Sequence, residues 1–202
     1  KIVGVQSGHA NPVVRYYGEQ DPAKRKFVPV TVRPSVAQAA MIGNPVSMPR
    51  VVHLVDLYNQ TAGGQRVFFV EVPEQAIMDW ELWANRNGHI ACTHGGESLA
   101  GLVAAREKGF VSPDEVAIID STAHALKFSG FQDMYFENRF PAEFDITPDR
   151  ALINRPRLIR PGDLEKLPAP GQPLSGADFQ RFVDRVCEEI AAALDLQKAT
   201  TP

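Results

Sequence analysis

The first 128 residues alternate between strand-like and helix-like segments, and this alternation constrains the fold more than any other feature. Residues 2–6 and 67–72 are rich in β-branched and aromatic side chains, which is typical of strands. Residues 89–92 and 116–119 are predicted as two further strands, the second of them a buried parallel strand. Helical segments between strands predict right-handed βαβ units. We therefore expect an α/β fold of three layers, with helices flanking a mainly parallel sheet.

Turn and capping residues set the expected ends of the helices. Asn44 followed by Pro45 predicts a helix start, because Asn is a good N-cap and Pro suits the first turn. Gly63 and Gly64 predict its end. Three further helical segments are predicted from about 34 to 41, from 73 to near 88, and from 95 to 108.

The amino-acid composition changes after residue 128. Residues 129–173 are rich in proline and charge, which favours a segment that wraps over a domain surface. Ser175 and Asp178 then form an acidic capping box, and an apolar helical face predicts a docked C-terminal helix to about Leu196. The predicted division is an α/β domain over 1–128 and a wrapping segment with a C-terminal helix over 129–202.

Composition excludes several classes of partner. The 202-residue chain has a net charge of −3, which argues against nucleic acid or an anionic membrane. No apolar run approaches the roughly 20 residues that span a bilayer. The two cysteines, Cys92 and Cys187, are predicted to be buried reduced thiols, as in a cytoplasmic protein. The chain opens at Lys1 on a strand-like run without Met, so we expect an earlier part of the same protein to precede it.

Residues 120–128 carry the most informative motif. They read Asp-Ser-Thr-Ala-His-Ala-Leu-Lys-Phe, and a Ser-Thr pair after a strand is most often a helix cap. The segment closely resembles the S-T-A-H-G-L-K-F segment of threonine synthases, pyridoxal-phosphate enzymes of the tryptophan-synthase-β fold type. Residues 42–45 match the I-G-N-P motif of that family, and residues 1–11 complete the family order along about 128 residues. The resemblance implies the later half of that fold, with a C-terminal extension.

The resemblance also implies a set of residues around pyridoxal 5'-phosphate. Enzymes of this fold type place a Ser or Thr hydroxyl against the pyridine nitrogen, and the motif carries this role onto Thr122, with Ser121 beside it. A neutral hydroxyl there leaves the ring largely unprotonated. Gly95, in the turn 93–98, is expected to line the pocket, and Asn44 is expected either to line it or only to cap a helix. His124 and Lys127 are expected to have structural or orienting roles.

No catalytic residue is expected within these 202 residues. The Schiff-base lysine and the phosphate-binding glycine loop of the family are expected upstream of residue 1. No metal site is expected either, because the histidines lack zinc-ligand spacing. None of the seven lysines lies in a motif like the family's lysine segment: Lys1, Lys24, Lys26, Lys108, Lys127, Lys166 and Lys198.

The resemblance implies a lyase that converts O-phosphohomoserine and water into threonine and phosphate, and that is inactive as this chain alone. Fold-type relatives are commonly homodimers. A related pyridoxal-phosphate β-replacement enzyme, such as cysteate synthase, is an alternative, since residues 131–136 depart from the plant-type pattern. A non-catalytic binding module is a second alternative if residue 1 is the true start.

Overall fold

Two parallel strands form the sheet in the computed structural model of this protein, which describes residues 1–156 and 158–196. β1 (Ile2–Ser7) pairs with β2 (Val67–Val72), with Ile2 opposite Val67 and Ser7 opposite Val72. The connection between them passes through α1 (Pro12–Gly18) and α2 (Met48–Thr61). The α/β class and the parallel βαβ unit are therefore confirmed, and both strands lie where the sequence predicts them.

Two neighbouring helices pack closely on each other and contribute side chains to the core. α3 (Glu74–Arg86) packs along α4 (Thr93–Glu107), and α4 also lies against both strands. Gly96 allows the close approach of the two helices, because a Cβ atom there would overlap the carbonyl oxygen of Ile77. The buried side chains of this core come from five parts of the chain: Val36, Ala37, Val72, Ile77, Met78, Leu82, Ala100, Phe131 and Tyr135.

The third and fourth predicted strands are wrong. Residues 89–92 contribute only an isolated antiparallel bridge between Ala91 and His124. Residues 116–119 form no strand, and Val116 and Ile118 are 95% and 99% exposed. A strand needs a hydrogen-bonded neighbour, and a cleft of about 430 Å³ separates this segment from β1.

The predicted start of α2 is also wrong. The helix begins at Met48 with Ser47 as its N-cap, three residues beyond Pro45. The turn 42–45 is instead held to an extended segment, because the N–H of Val30 donates to the carbonyl oxygen of Gly43 at 3.0 Å. Gly63 takes a φ of +67° directly after the helix, so the predicted glycine stop is confirmed.

A short helix, α5 (Ser129–Phe136), belongs to the first of two compact units, which runs from Lys1 to Asn154. Phe131 and Tyr135 of this helix are buried in the core. The Tyr135 hydroxyl donates to Asp79 at 2.6 Å and accepts from the N–H of Asp149 at 2.8 Å. The predicted boundary after residue 128 thus falls inside this unit, because aromatic side chains beyond it belong to the same core.

The second unit begins at Arg155 and contains α6 (Gly176–Ala193), with Ser175 as N-cap. The expected capping-box bond is not seen, since the Ser175 side chain caps no N–H of α6 and Asp178 pairs with Lys166 at 2.7 Å. None of the described residues of α6 is buried, so the docked, covered helix predicted here is not seen.

The two cysteines differ in their surroundings. Both are free thiols, and Cys92 is buried as predicted. Cys187 is exposed, contrary to the prediction, because it lies on α6, where the structure buries no side chain. No helix within the described residues is both long and apolar enough to cross a membrane.

Candidate functional site

The motif segment lies against the start of α4. The N–H of Cys92 donates to the carbonyl oxygen of Ala123 at 3.1 Å, next to the bridge between Ala91 and His124. Cys92 is the N-cap of α4, and its side chain makes no capping hydrogen bond to a backbone N–H of the helix. The first N–H groups of α4 therefore lack a capping side chain, and such groups attract anions.

Three of the four predicted site residues meet at this point. Thr122 Oγ1 lies 3.8 Å from Cys92 Sγ, and both Ser121 and Thr122 are exposed. A Cβ atom on Gly95 would lie 2.7 Å from Ala91 Cβ and 3.1 Å from Ser121 Oγ. Glycine at position 95 is therefore what lets the hydroxyl pair approach the first turn of α4.

Asn44, the fourth predicted residue, lies in the separate turn 42–45. It is exposed there, 77 positions before Ser121 in the sequence. The structure does not join Asn44 to Ser121, Thr122 or Gly95 by a direct bond.

His94 links the start of α4 to a different part of the chain. Its Nε2 accepts a hydrogen bond from the N–H of Ala39 at 3.1 Å. Its Nδ1 lies 3.9 Å from Cys92 Sγ, and its ring centroid is 5.3 Å from that of Phe128. Burial and the positive charge of Lys127 both lower the pKa of His94, which favours the neutral ring.

His124 and Lys127 both make contacts within the motif segment itself. His124 Nδ1 accepts from the N–H of Leu126 at 3.2 Å and caps a 3-10 turn at Ala125–Phe128. The Lys127 ammonium lies 5.5 Å from the Phe128 ring centroid, within cation–π range. These contacts are those of residues that shape the segment.

A buried polar cluster at the carboxyl ends of both strands was not predicted from the sequence. Glu74 accepts from the hydroxyl of Ser7 and, at 2.7 Å, from the N–H of Val36. Glu97 accepts from the N–H of Ser7 at 3.1 Å. Burial, with the nearby charge of Glu74, raises the pKa of Glu97 to about 7. The sequence signal that could have indicated this cluster is the position of its acidic residues. Glu74 begins α3 just after β2, and Glu97 lies near the start of α4.

The lysines within the described residues are all exposed, and Lys127 belongs to the motif segment itself. Lys198 lies outside the described residues. In the same described part, no three His, Cys, Asp or Glu side chains are grouped as metal ligands are.

The fold is that of an α/β protein with a parallel βαβ unit, and two hydroxyls of the motif segment lie beside the N-terminus of α4. No protein-family model matches the chain. The chain is similar to threonine synthase 2, chloroplastic, of Arabidopsis thaliana, with 30% identity over 129 residues. It is also similar to threonine synthase of Methanocaldococcus jannaschii, with 26% identity over 127 residues.

These alignments confirm the resemblance to threonine synthases that the motifs indicated. They cover 64% and 63% of this chain. They cover only 23% of the Arabidopsis protein and 29% of the archaeal one, so the chain spans less than a third of the length of these curated relatives.

Proposed function

We propose that this chain is the cofactor-proximal part of a pyridoxal-phosphate lyase that makes threonine from O-phosphohomoserine and water. The single observation that carries the proposal is the place of Thr122, an exposed hydroxyl beside the first turn of α4 within the motif 120–128. The similarity to two threonine synthases supports the same reaction.

The residues at the start of α4 suit one edge of pyridoxal phosphate. Thr122 and Ser121 offer neutral hydroxyls, and Gly95 leaves space beside them. A neutral hydroxyl favours an unprotonated ring nitrogen, whereas a carboxylate would hold the pyridinium form. When bound, the cofactor supplies an electron sink for carbanions of the amino-acid substrate. Thr122 would orient the ring, with Ser121 and Gly95 forming the pocket wall.

Further parts of the enzyme would supply the lysine, the phosphate-binding loop and the rest of a three-layer sheet. Two features support this arrangement. Val116 and Ile118 are apolar yet almost fully exposed, and a cleft separates their segment from β1. A strand placed in that cleft would pair with β1 and cover both side chains, so residues 1–128 would belong to a larger cofactor-binding domain. We place the enzyme in the cytoplasm, as a homodimer.

The test is an assay of the polypeptide that carries this chain together with the lysine-bearing part. Threonine and phosphate are measured with O-phosphohomoserine, and cysteate is measured with O-phosphoserine and sulfite. Threonine formation that requires pyridoxal phosphate supports the proposal. Cysteate formation without threonine would replace it by the β-replacement alternative, and the absence of both products, with no cofactor bound, would favour a binding module.

A further inference from the structure

A backbone amide determines which nitrogen of His94 carries the proton. The N–H of Ala39 can only donate, and it lies 3.1 Å from His94 Nε2. Nε2 is therefore the acceptor nitrogen. Since burial and the charge of Lys127 lower the pKa of this ring, His94 is neutral and its one proton lies on Nδ1.

The proton on Nδ1 faces a buried sulfur atom. Cys92 Sγ lies 3.9 Å from Nδ1 and 3.8 Å from Thr122 Oγ1, and the Cys92 residue is fully buried. Within the described residues these are the only two hydrogen bonds of Sγ. A thiol is a weak acceptor and a weak donor of one proton. A sulfur that accepts from Nδ1 still has its own proton to donate, and Thr122 Oγ1 is the oxygen that lies within its reach.

We propose that Cys92 is a positioning residue that sets the direction of the Thr122 hydroxyl. Thr122 Oγ1 accepts from the Cys92 S–H, so the Thr122 O–H points away from the protein, toward the exposed side where a ligand has access. This inference rests on the proposed function for its ligand, the pyridine nitrogen of pyridoxal phosphate.

The direction of the hydroxyl matters because an unprotonated pyridine nitrogen can only accept a hydrogen bond. If the Thr122 O–H pointed back to Cys92, oxygen and nitrogen lone pairs would face each other. Both sulfur contacts are long and weak, but choosing between two orientations of a freely rotating O–H needs only a small energy difference. The series of hydrogen bonds from the Ala39 amide through His94 and Cys92 thus orients the Thr122 hydroxyl as a donor before any ligand binds.

The direct test is the infrared S–H stretch of Cys92, which moves to lower frequency when the thiol donates. The Cys187→Ser background leaves Cys92 as the single thiol, since the chain has two cysteines. We expect Thr122→Val to move the band to higher frequency, and Thr122→Ser, which keeps an acceptor, to leave it close to its original position. If the S–H frequency stays the same in Thr122→Val and changes in His94→Leu, the thiol donates to His94. That result would overturn the proposal.

A second measurement does not depend on any substitution at Thr122. Long-range ¹H–¹⁵N NMR of the histidine rings, assigned by the loss of signals in His94→Leu, should show the Nδ1–H tautomer of His94 at neutral pH. An Nε2–H tautomer or a doubly protonated ring would contradict the proposed chain of hydrogen bonds.

Measurements of cofactor binding separate this inference from the proposed function. Cys92→Ala should weaken pyridoxal-phosphate binding several-fold and shift the ¹⁵N resonance of the labelled pyridine ring, and Cys92→Ser should restore part of both. If the parent protein with its lysine-bearing part binds no cofactor, the proposed function fails, while the infrared and NMR results still decide the direction of the thiol. Normal binding and an unchanged ¹⁵N resonance in Cys92→Ala would overturn the positioning role alone.

Discussion

Gly101 of α4 lies directly against Val5 of β1, so closely that a Cβ atom at Gly101 would overlap Val5 Cγ2. The contact is the point at which the helix that begins at the candidate site meets the sheet. Glycine is unfavourable within a helix, and here it permits a close approach that a larger residue prevents.

We expect Gly101→Ala to destabilise the protein by about 1–3 kcal/mol, because the added methyl group forces α4 away from the sheet. The matched control is Gly130→Ala on α5, where an added Cβ would meet nothing within 4 Å. That control should be neutral or stabilising by up to about 1 kcal/mol, since Ala is the better helix former. Urea unfolding measures both, and equal effects of the two substitutions would show that the contact with Val5 is not tight. Adding Val5→Ala to Gly101→Ala should recover part of the loss.

The buried carboxyl of Glu81 should make stability fall as the pH rises. Burial raises the pKa of Glu81 to about 8 from 4.5. Below pH 4.5 both folded and unfolded forms are protonated. Between pH 4.5 and 8 Glu81 ionises in the unfolded form but not in the folded form. The free energy of unfolding therefore falls by up to about 1.4 kcal/mol for each pH unit. We expect Glu81→Gln to match the parent protein at pH 4.5 and to exceed its stability at pH 8.

Denaturation of the parent and Glu81→Gln proteins at pH 4.5, 6.5 and 8 measures this difference. Glu107→Gln is a surface control, because Glu107 is exposed. A gap between parent and Glu81→Gln that stays constant with pH would contradict the burial-driven rise in the pKa of Glu81.

Thr122 and Ser121 should differ in their effects on cofactor binding. In the complete enzyme Thr122→Val should weaken pyridoxal-phosphate binding by roughly 1–3 kcal/mol, because the ring nitrogen loses its donor. Thr122→Asp should favour the protonated ring, so side reactions should rise as threonine formation falls. Equilibrium titration and product analysis measure these effects. An unchanged Thr122→Val enzyme beside a crippled Ser121→Ala enzyme would show that the other hydroxyl faces the ring.

The groove between α2 and the sheet should bind apolar dyes. It has a volume of about 570 Å³ and is lined by Leu54 and Tyr58 together with Ile2 and Phe69. Leu54→Gln should lower the fluorescence of a bound dye with little effect on stability, since Leu54 is 49% exposed. Val46→Gln is the control, because Val46 is fully exposed outside the groove. Equal dye signals from parent and Leu54→Gln proteins would place the dye elsewhere.

Local chemistry explains which elements were predictable. Residues 67–72 carry the side chains that favour strands, and Gly63 and Gly109 end helices with positive φ angles. Residues 116–119 have the same apolar character but lack a neighbouring strand, and sequence alone does not supply that neighbour. Burial also depends on the whole fold, so Glu74, whose position at a helix start is typical of a solvated residue, was missed.

The candidate site was partly predictable for the same reason. The motif 120–128 indicated Thr122 and Ser121, and the turn 93–98 indicated Gly95; the structure brings the three together at the start of α4. The contacts of His94 with Ala39 and of Cys92 with Thr122 join segments that are distant in sequence, and no local pattern indicates them.

The register of the sheet also determines the order in which the chain can fold. Ile2 pairs with Val67, so the sheet gains no stability until a very long loop has closed. α3 and α4 are neighbours in sequence and pack extensively on each other. We expect this helical pair to acquire protection in pulse-labelled hydrogen exchange before β1 does, which would make late strand pairing the slow step of folding.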